Sequence, residues 1–251
     1  MQPSLTIAHI GDPQLGFTLN GEDPETKYRE DLARMERVIA DVNRLKPDVA
    51  LISGDMAHRG ADIVRDWPRL LSLFTVPVVA TPGNHDMCQR LEREALDRYN
   101  AIFGRDYGTM DVNEWRIIFG NTQYWLETDE KRLQTRYGEW LATELERAKE
   151  MGGRVIIAGH NAPFAYKPDE PDGYENCPLA TRYRRLDAYL AVGARFYLAG
   201  HMHRLCVRGY RGLTILSAES LSLNFDGRPF GFRVFRIDDD FTWSWNFHPV
   251  G

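Results

Sequence analysis

Five short segments of this 251-residue chain place side chains that can hold a cation or move a proton directly behind a glycine. They are Gly11-Asp12-Pro13-Gln14, Gly54-Asp55, Gly83-Asn84-His85-Asp86, Gly159-His160 and Gly200-His201-Met202-His203. Imidazole, amide and carboxylate donors suit divalent ions of intermediate character such as Mn, Fe or Zn, and the absence of cysteine donors argues against a structural zinc. Two such ions close together need a bridging carboxylate to offset their mutual repulsion. They can then clamp a phosphate and convert a bridging water to hydroxide, the nucleophile for in-line attack on phosphorus. Singly, each segment is weak, because an aspartate after a strand usually caps or turns the chain and a lone histidine is usually an ordinary surface or core group. Together they are not: of the seven histidines, only His9 and His248 lie away from these segments, His58 following Asp55 by three residues.

What the segments share is their place at the end of a strand. Leu5 to His9, Val49 to Ile52, Val76 to Ala80, Arg154 to Ala158 and Phe196 to Ala199 are short apolar runs, each stopping at one of the glycines. Glycine turns the chain tightly and keeps the backbone clear of a bound group. Ligands collect at the carboxyl ends of strands in open α/β sheets, so segments spread along the chain are expected to converge on one point. Helices are expected between them. From Pro24 to Leu45, Tyr28, Leu32, Met35, Val38, Ile39, Val42 and Leu45 recur at helical spacing. Further helices are predicted over Asp62 to Leu73, Gln89 to Phe103, Glu130 to Lys149 (stopped by Gly152-Gly153) and Arg182 to Leu190. Tyr107 to Trp125 and Leu205 to Trp245 read as antiparallel strands. The fold class is α/β, a four-layer α-β-β-α sandwich of two mixed sheets, expected as a single domain over residues 1–251. The one long irregular stretch, Asn161 to Pro178, leaves the strand that carries His160 and should overhang the site, bringing Tyr166, Tyr174, Glu175 and Asn176 to it.

Hydrophobic residues at 43% and aromatics at 12% supply a full core. A net charge of -5 leaves no footprint for nucleic acid, so an anionic substrate needs local positive charge such as bound metal. Cys88, Cys177 and Cys206 are odd in number and show no C-x-x-C spacing, which fits reduced thiols in a cytoplasm. Met1 to Ile10 does not read as a signal segment, and no apolar run approaches membrane-spanning length. A soluble, cytoplasmic protein is expected, with neither nucleic acid nor membrane among its partners.

In this order the five segments resemble the motif set of calcineurin-like metallophosphoesterases, over residues 12 to 203. The G-N-H-D block and the closing G-H-x-H are specific; the G-D pair alone is weak. The resemblance implies a binuclear centre at the carboxyl ends of a ββ sandwich. The first ion would take Asp12, Gln14, Asp55 and His203. The second would take Asp55, Asn84, His160 and His201, with Asp55 bridging. His85 would be no ligand; it would protonate the leaving oxygen or steady the phosphate.

Two positions depart from the pattern. The family's first segment is usually D-x-H, whereas Asp12 is followed by Pro13 and Gln14. A neutral amide oxygen is a harder donor than imidazole, which predicts weaker binding of the first ion and a bias toward Mn or Mg over Zn, with Mn favoured. The D-P-Q start, Leu179 to Leu190, Gly200 to Arg204 and Gly231 to Val234 resemble the subgroup related to a eukaryotic serine/threonine phosphatase. Such phosphatases also place an acid and an arginine after the bridging aspartate. Arg59 matches the arginine and could grip phosphate bidentately. His58 stands at the acid position, so the partner that orients His85 is open.

The expectation is a phosphomonoester hydrolase acting on a small phosphorylated molecule or a phosphoprotein, with Arg59, His58, Tyr174 and Asn176 on the substrate side. A phosphodiesterase for cyclic nucleotides or other diesters would use the same centre. A non-catalytic interaction module of this fold would show eroded ligands or lack His85; here His85 is present and Gln14 is the only ligand that departs. A nuclease would need a basic, aromatic-lined track, which the sequence does not supply.

Overall fold

The computed structural model describes residues 4–19, 21–126 and 128–250. Its first sheet contains β1 (Leu5–Ile10), β2 (Val49–Ile52) and β3 (Val78–Ala80), all parallel, with the antiparallel β10 (Gly231–Ile237) and β11 (Trp243–Pro249) added at the β1 edge. The second contains β4 (Gly108–Val112), β5 (Trp115–Phe119), β6 (Val155–Ala158), β7 (Phe196–Ala199), β8 (Cys206–Tyr210) and β9 (Leu213–Ser217), in the order β4-β5-β6-β7-β9-β8. Strands β5, β6, β7 and β9 run parallel, and β4 and β8 close the edges antiparallel.

Side chains alternate across each strand, and that alternation builds the layers. Leu5, Ile7, Val49, Leu51 and Val79 meet Ile117, Ile156, Phe196 and Leu198 between the two sheets. Their neighbours Ala8, Ile10, Ala50 and Ile52, and on the second sheet Val155, Ile157, Tyr197 and Ala199, belong to the layers against the helices. Five helices cover the outside: α1 (Pro24–Leu45), α2 (Ile63–Leu73) and α3 (Arg93–Phe103) on the first sheet, α4 (Lys131–Ala148) and α5 (Leu179–Ala191) on the second. The central strands β2, β6 and β7 are apolar on both faces because both are buried, at about 1.5–3 kcal/mol per large aliphatic side chain. This is the four-layer α-β-β-α sandwich that the sequence predicts. No described helix is long and apolar enough to cross a membrane, and Cys88, Cys177 and Cys206 are free thiols.

The structure differs from the sequence reading in four places. The helix expected from Gln89 starts at Arg93, because Cys88 and Gln89 sit in the left-handed region at φ 56° and 67° and fold the chain back toward Asn84. The helix expected at Arg182 starts three residues earlier, at Leu179, directly after Pro178. Tyr107 to Trp125 forms one hairpin, β4–β5, followed by a 3-10 turn over Thr122–Trp125. From Leu205 onward the strands are not purely antiparallel: β9 pairs parallel with β7. Between β9 and β10 the chain returns to the carboxyl ends of the strands, where Gly11 bridges Ser220.

Candidate metal centre

β1, β2 and β3 point the same way, as do β6 and β7, so their carboxyl ends deliver the five glycine-led segments to one place. The loops are stitched together there: Gln14 N donates to Asp55 O at 2.7 Å, and Gly200 N donates to His160 O at 3.0 Å. Local backbone geometry is unusual. Asp12, Gln14, Asp55, His201 and His203 all have positive φ, between 37° and 69°. Each non-glycine residue held there costs on the order of 1 kcal/mol, so the surrounding bonds must over-determine the shape. Two glycines are required by close approach: a Cβ on Gly83 would land on the Asp55 carboxylate, and one on Gly54, at φ 97°, on the His160 ring.

The donor atoms fall into two groups. Asp55, His160 and His201 form one, and Asp12, Asp55 and His203 the other, with the atoms of each group within 4.8 Å of one another. Asp55 is common to both. Asn84 joins the first group, its Oδ1 lying 3.0 Å from His160 Nε2. Gln14, buried beside Asp12 and Asp55, has its Oε1 buried with no hydrogen-bond partner. The structure thus brings Asp12, Asp55, His160, His201 and His203 together.

Each histidine is held by the nitrogen that does not face the cluster. A carbonyl can only accept, so the hydrogen positions follow. His160 Nδ1 donates to Ser53 O at 2.8 Å, His201 Nε2 to Tyr174 O at 3.1 Å and His203 Nδ1 to Leu223 O at 2.8 Å. In the neutral form of each ring the opposite nitrogens, His160 Nε2, His201 Nδ1 and His203 Nε2, carry lone pairs directed inward. The carboxylates are fixed too: His201 N donates to both Asp12 oxygens at 2.9 Å, and His85 N to Asp55 Oδ1 at 2.9 Å.

The electrostatics call for cations. Asp12, Asp55 and Asp86 are all buried, and among the described residues only histidines come within ion-pair range of Asp12 and Asp55. Burial, reinforced by the Asp55 and Asp86 carboxylates, pushes Asp12 up to about 8 against the pull of His160. Burial and the Asp55 charge push Asp86 up to about 7. Burial opposes ionisation of Asp55 as well, yet the charge of His160 holds it below the ordinary carboxylate range. His160 is raised to about 9, the Asp55 and Asp12 charges overcoming its burial. Burial lowers His201 to about 3 and His203 to about 4, which keeps both imidazoles neutral and able to coordinate. Crowded carboxylates without a lysine or arginine partner, the neutral imidazoles of His201 and His203 and an orphaned amide oxygen fit two divalent ions sharing Asp55.

His85 stands at the mouth, outside both groups. Its Nδ1 donates to His58 O at 2.7 Å, and its ring centroid lies 4.9 Å from that of His58. The orienting partner that the sequence leaves open is therefore a backbone carbonyl. Asp86 does not fill that role. Its carboxylate accepts from Met56 N at 2.9 Å and Gly83 N at 2.8 Å, tying the loop after β2 to the loop after β3. The His58 ring packs between His85 and Phe17, 4.7 Å from the latter, and burial and the His85 charge lower its pKa. Arg59 is exposed, and its side chain makes no hydrogen bond or ion pair with the described residues.

The Asn161–Pro178 loop does overhang the centre. Tyr174 reaches it twice, through its carbonyl to His201 and through its hydroxyl, which accepts from Asn84 Nδ2 at 2.8 Å. Asn176 does not reach it. Buried in the loop, it donates to Glu170 Oε1 at 2.7 Å and accepts from Gly173 N at 3.1 Å, so the substrate contact expected of it is replaced by a role within the loop. Glu170 also accepts from Ala165, Tyr166 and Lys167 N. Fully buried Arg182 donates to the carbonyls of Cys177, Pro168 and Glu170. These two side chains bond to the loop backbone from opposite charges and make it a fixed wall.

Sequence reasoning missed the returning segment after β9. Ser220 Oγ donates to Asp12 O at 2.9 Å, Leu223 O holds His203, and exposed Phe225 stacks on the His203 ring at 5.0 Å. Backbone carbonyls leave no signature in residue type, and Ser220 and Phe225 sit in no recognisable spacing.

The family model for calcineurin-like phosphoesterases matches residues 5–205. A serine/threonine-protein phosphatase CPPED1 of Rattus norvegicus is 24% identical over 240 residues, covering 89% of this chain and 77% of that protein. A probable cyclic nucleotide phosphodiesterase of Synechococcus is 27% identical over 262 residues, covering 98% and 93%. The crystal structure of a dimetal phosphatase from Danio rerio superposes with a TM-score of 0.64 at 15% identity, covering 99% of this chain and 97% of that one. The chain belongs to the calcineurin-like phosphoesterase family and is a hydrolase of phosphoesters.

Proposed function

We propose that this chain is a phosphomonoesterase acting on phosphorylated side chains of proteins. One observation carries the metal-dependent part of the reading: two donor groups share Asp55. In this reading Asp12, Gln14, Asp55 and His203 hold one ion, and Asp55, Asn84, His160 and His201 the other, manganese being favoured by the amide oxygens. Two ions so held supply the clamp on the phosphoryl oxygens and the acidified water that serves as nucleophile. His85 is the general acid: its Nδ1 is committed to His58 O, so Nε2 is the atom that passes a proton to the leaving oxygen. Arg59, exposed and unpaired among the described residues, is free to meet a phosphoryl oxygen, and Tyr174 lines the approach. The serine/threonine phosphatase named among the relatives supports protein phosphomonoesters as substrates, and three free thiols support a cytoplasmic setting.

A second reading, a cyclic nucleotide phosphodiesterase, is favoured by the Synechococcus relative and by Tyr174 and Phe225, whose exposed rings beside His201 and His203 offer stacking faces to a base. The deciding experiment uses metal-stripped protein re-supplied in turn with Mn, Mg, Fe, Co and Zn. It compares para-nitrophenyl phosphate, its bis-ester, cyclic AMP and a phosphoserine peptide. Monoester cleavage restored best by Mn is expected. Cleavage confined to the diesters transfers the function to the second reading, and no cleavage with any ion sinks both.

A further inference from the structure

Asn84 is the one candidate ligand of the second ion whose two ends look alike in shape and differ in chemistry. Its Oδ1 can coordinate; its Nδ2, if the amide were turned over, would present N–H groups to a cation. Something must hold the amide the right way round, and the residue is buried, so both Nδ2 hydrogens also need acceptors. The structure supplies both. Asn84 Nδ2 donates to Gln89 Oε1 at 2.8 Å and to the Tyr174 hydroxyl at 2.8 Å, and that hydroxyl donates to Gln89 Oε1 at 3.3 Å. The three side chains form a closed ring of hydrogen bonds. With Gln89 Oε1 and the Tyr174 hydroxyl facing it, Asn84 turns Nδ2 to the ring and Oδ1 to His160 Nε2.

Both outer members of the ring are held in place by the chain around them. Gln89 follows Cys88 in two consecutive left-handed conformations, which no glycine relieves, and its backbone N donates to Asn84 O at 2.7 Å. This turn replaces the first residues of the helix that the sequence predicts and returns the Gln89 side chain over Asn84. Tyr174 is carried by the loop that Glu170 and Arg182 lock from within.

We propose that Gln89 and Tyr174 are positioning residues that set the Asn84 amide with its oxygen toward the second ion. The inference rests on the ligand assignment proposed above. Neither residue touches the ion; both act through Asn84, and their loss is expected at one site of the pair only.

Manganese titration of the metal-stripped protein, followed by calorimetry and by the paramagnetic resonance of free Mn, reads the two sites separately. Replacing both acceptors, Gln89→Leu with Tyr174→Phe, should weaken the second ion about tenfold or more, the usual scale for losing an outer partner of a ligand, and leave the first ion and the melting temperature unchanged. Gln89→Glu keeps an acceptor and should restore binding in the presence of Tyr174. In an Asn84→Asp background both ends of the ligand are oxygens, so removing Gln89 should add little further loss. The proposal is overturned if the double variant binds both ions as the native chain does, if both sites weaken equally, or if the loss is as large in the Asn84→Asp background. Asn84→Ala separates this failure from that of the ligand assignment: if it too retains two tightly bound ions, Asn84 is no ligand.

Discussion

His85 donates through Nδ1 to the backbone carbonyl of His58 at 2.7 Å, and the two imidazole rings face each other at 4.9 Å. The contact links the loop after β3 to the loop after β2, three residues beyond Asp55, whose carboxylate accepts from the His85 backbone N–H. One histidine is thus fixed at both its backbone and its ring relative to the shared carboxylate. The carbonyl can only accept, so the contact sets the tautomer of His85.

His85→Ala should retain two bound ions and lose about 10²–10⁴ in turnover, the range for a missing general acid. The loss should be smaller for an aryl phosphate, whose leaving group needs less protonation, than for an alkyl phosphate. Metal content and single-turnover rates on the two esters check this; a variant that drops an ion would make His85 a ligand.

Asp55→Asn should release both ions, because the carboxylate belongs to both donor groups. It should also lose phosphoesterase activity with every metal. The amide would in addition present an N–H group where His85 N now donates to a carboxylate oxygen. Elemental analysis after desalting is the measurement, and two ions retained at native affinity would refute the bridging role.

Gln14→His should tighten the first site and shift its preference toward Zn, since imidazole is the softer donor. The buried, unpartnered Oε1 gives this prediction its footing, because an orphaned acceptor at that depth is costly unless a cation meets it. Competition between Mn and Zn, followed by calorimetry, measures the shift. An unchanged metal profile would place Gln14 outside the coordination sphere.

The centre was legible in the sequence because its parts sit at strand ends. The apolar runs before Gly11, Gly54, Gly83, Gly159 and Gly200 fix where each segment lies, and parallel strands can bring such ends together only at one edge. What could not be read was held by backbone atoms or by turns without a compositional mark. The carbonyls of Ser53, Tyr174, Leu223 and His58 orient four histidines, and any residue type supplies a carbonyl. Helical periodicity carried the reading through Cys88 and Gln89, where two left-handed residues in fact break it. The place of Asn176 in the overhanging loop predicts a substrate contact, but a short polar side chain in a loop can equally bond to the loop itself, and Glu170 takes it.

The last prediction concerns acid stability and turns on His9, buried in β1 behind the centre. Its Nε2 meets Ser53 Oγ at 3.0 Å, its Nδ1 has no partner, and Ser53 in turn holds His160 through its carbonyl. Burial is the main cause that lowers its pKa from 6.5 to about 3; the Glu219 charge opposes this, and Arg233 reinforces it. The folded value lies below the unfolded one, so between the two the unfolded chain binds a proton that the folded chain refuses. Stability from this group is complete above about pH 6.5 and falls as pH drops toward 3, by at most about 1.4 kcal/mol per pH unit. His9→Gln keeps a polar group for Ser53 and cannot titrate. Urea unfolding of the metal-stripped native chain and this variant between pH 7 and 4 should therefore give a shallower fall for the variant. Parallel slopes would mean that His9 takes up its proton without unfolding.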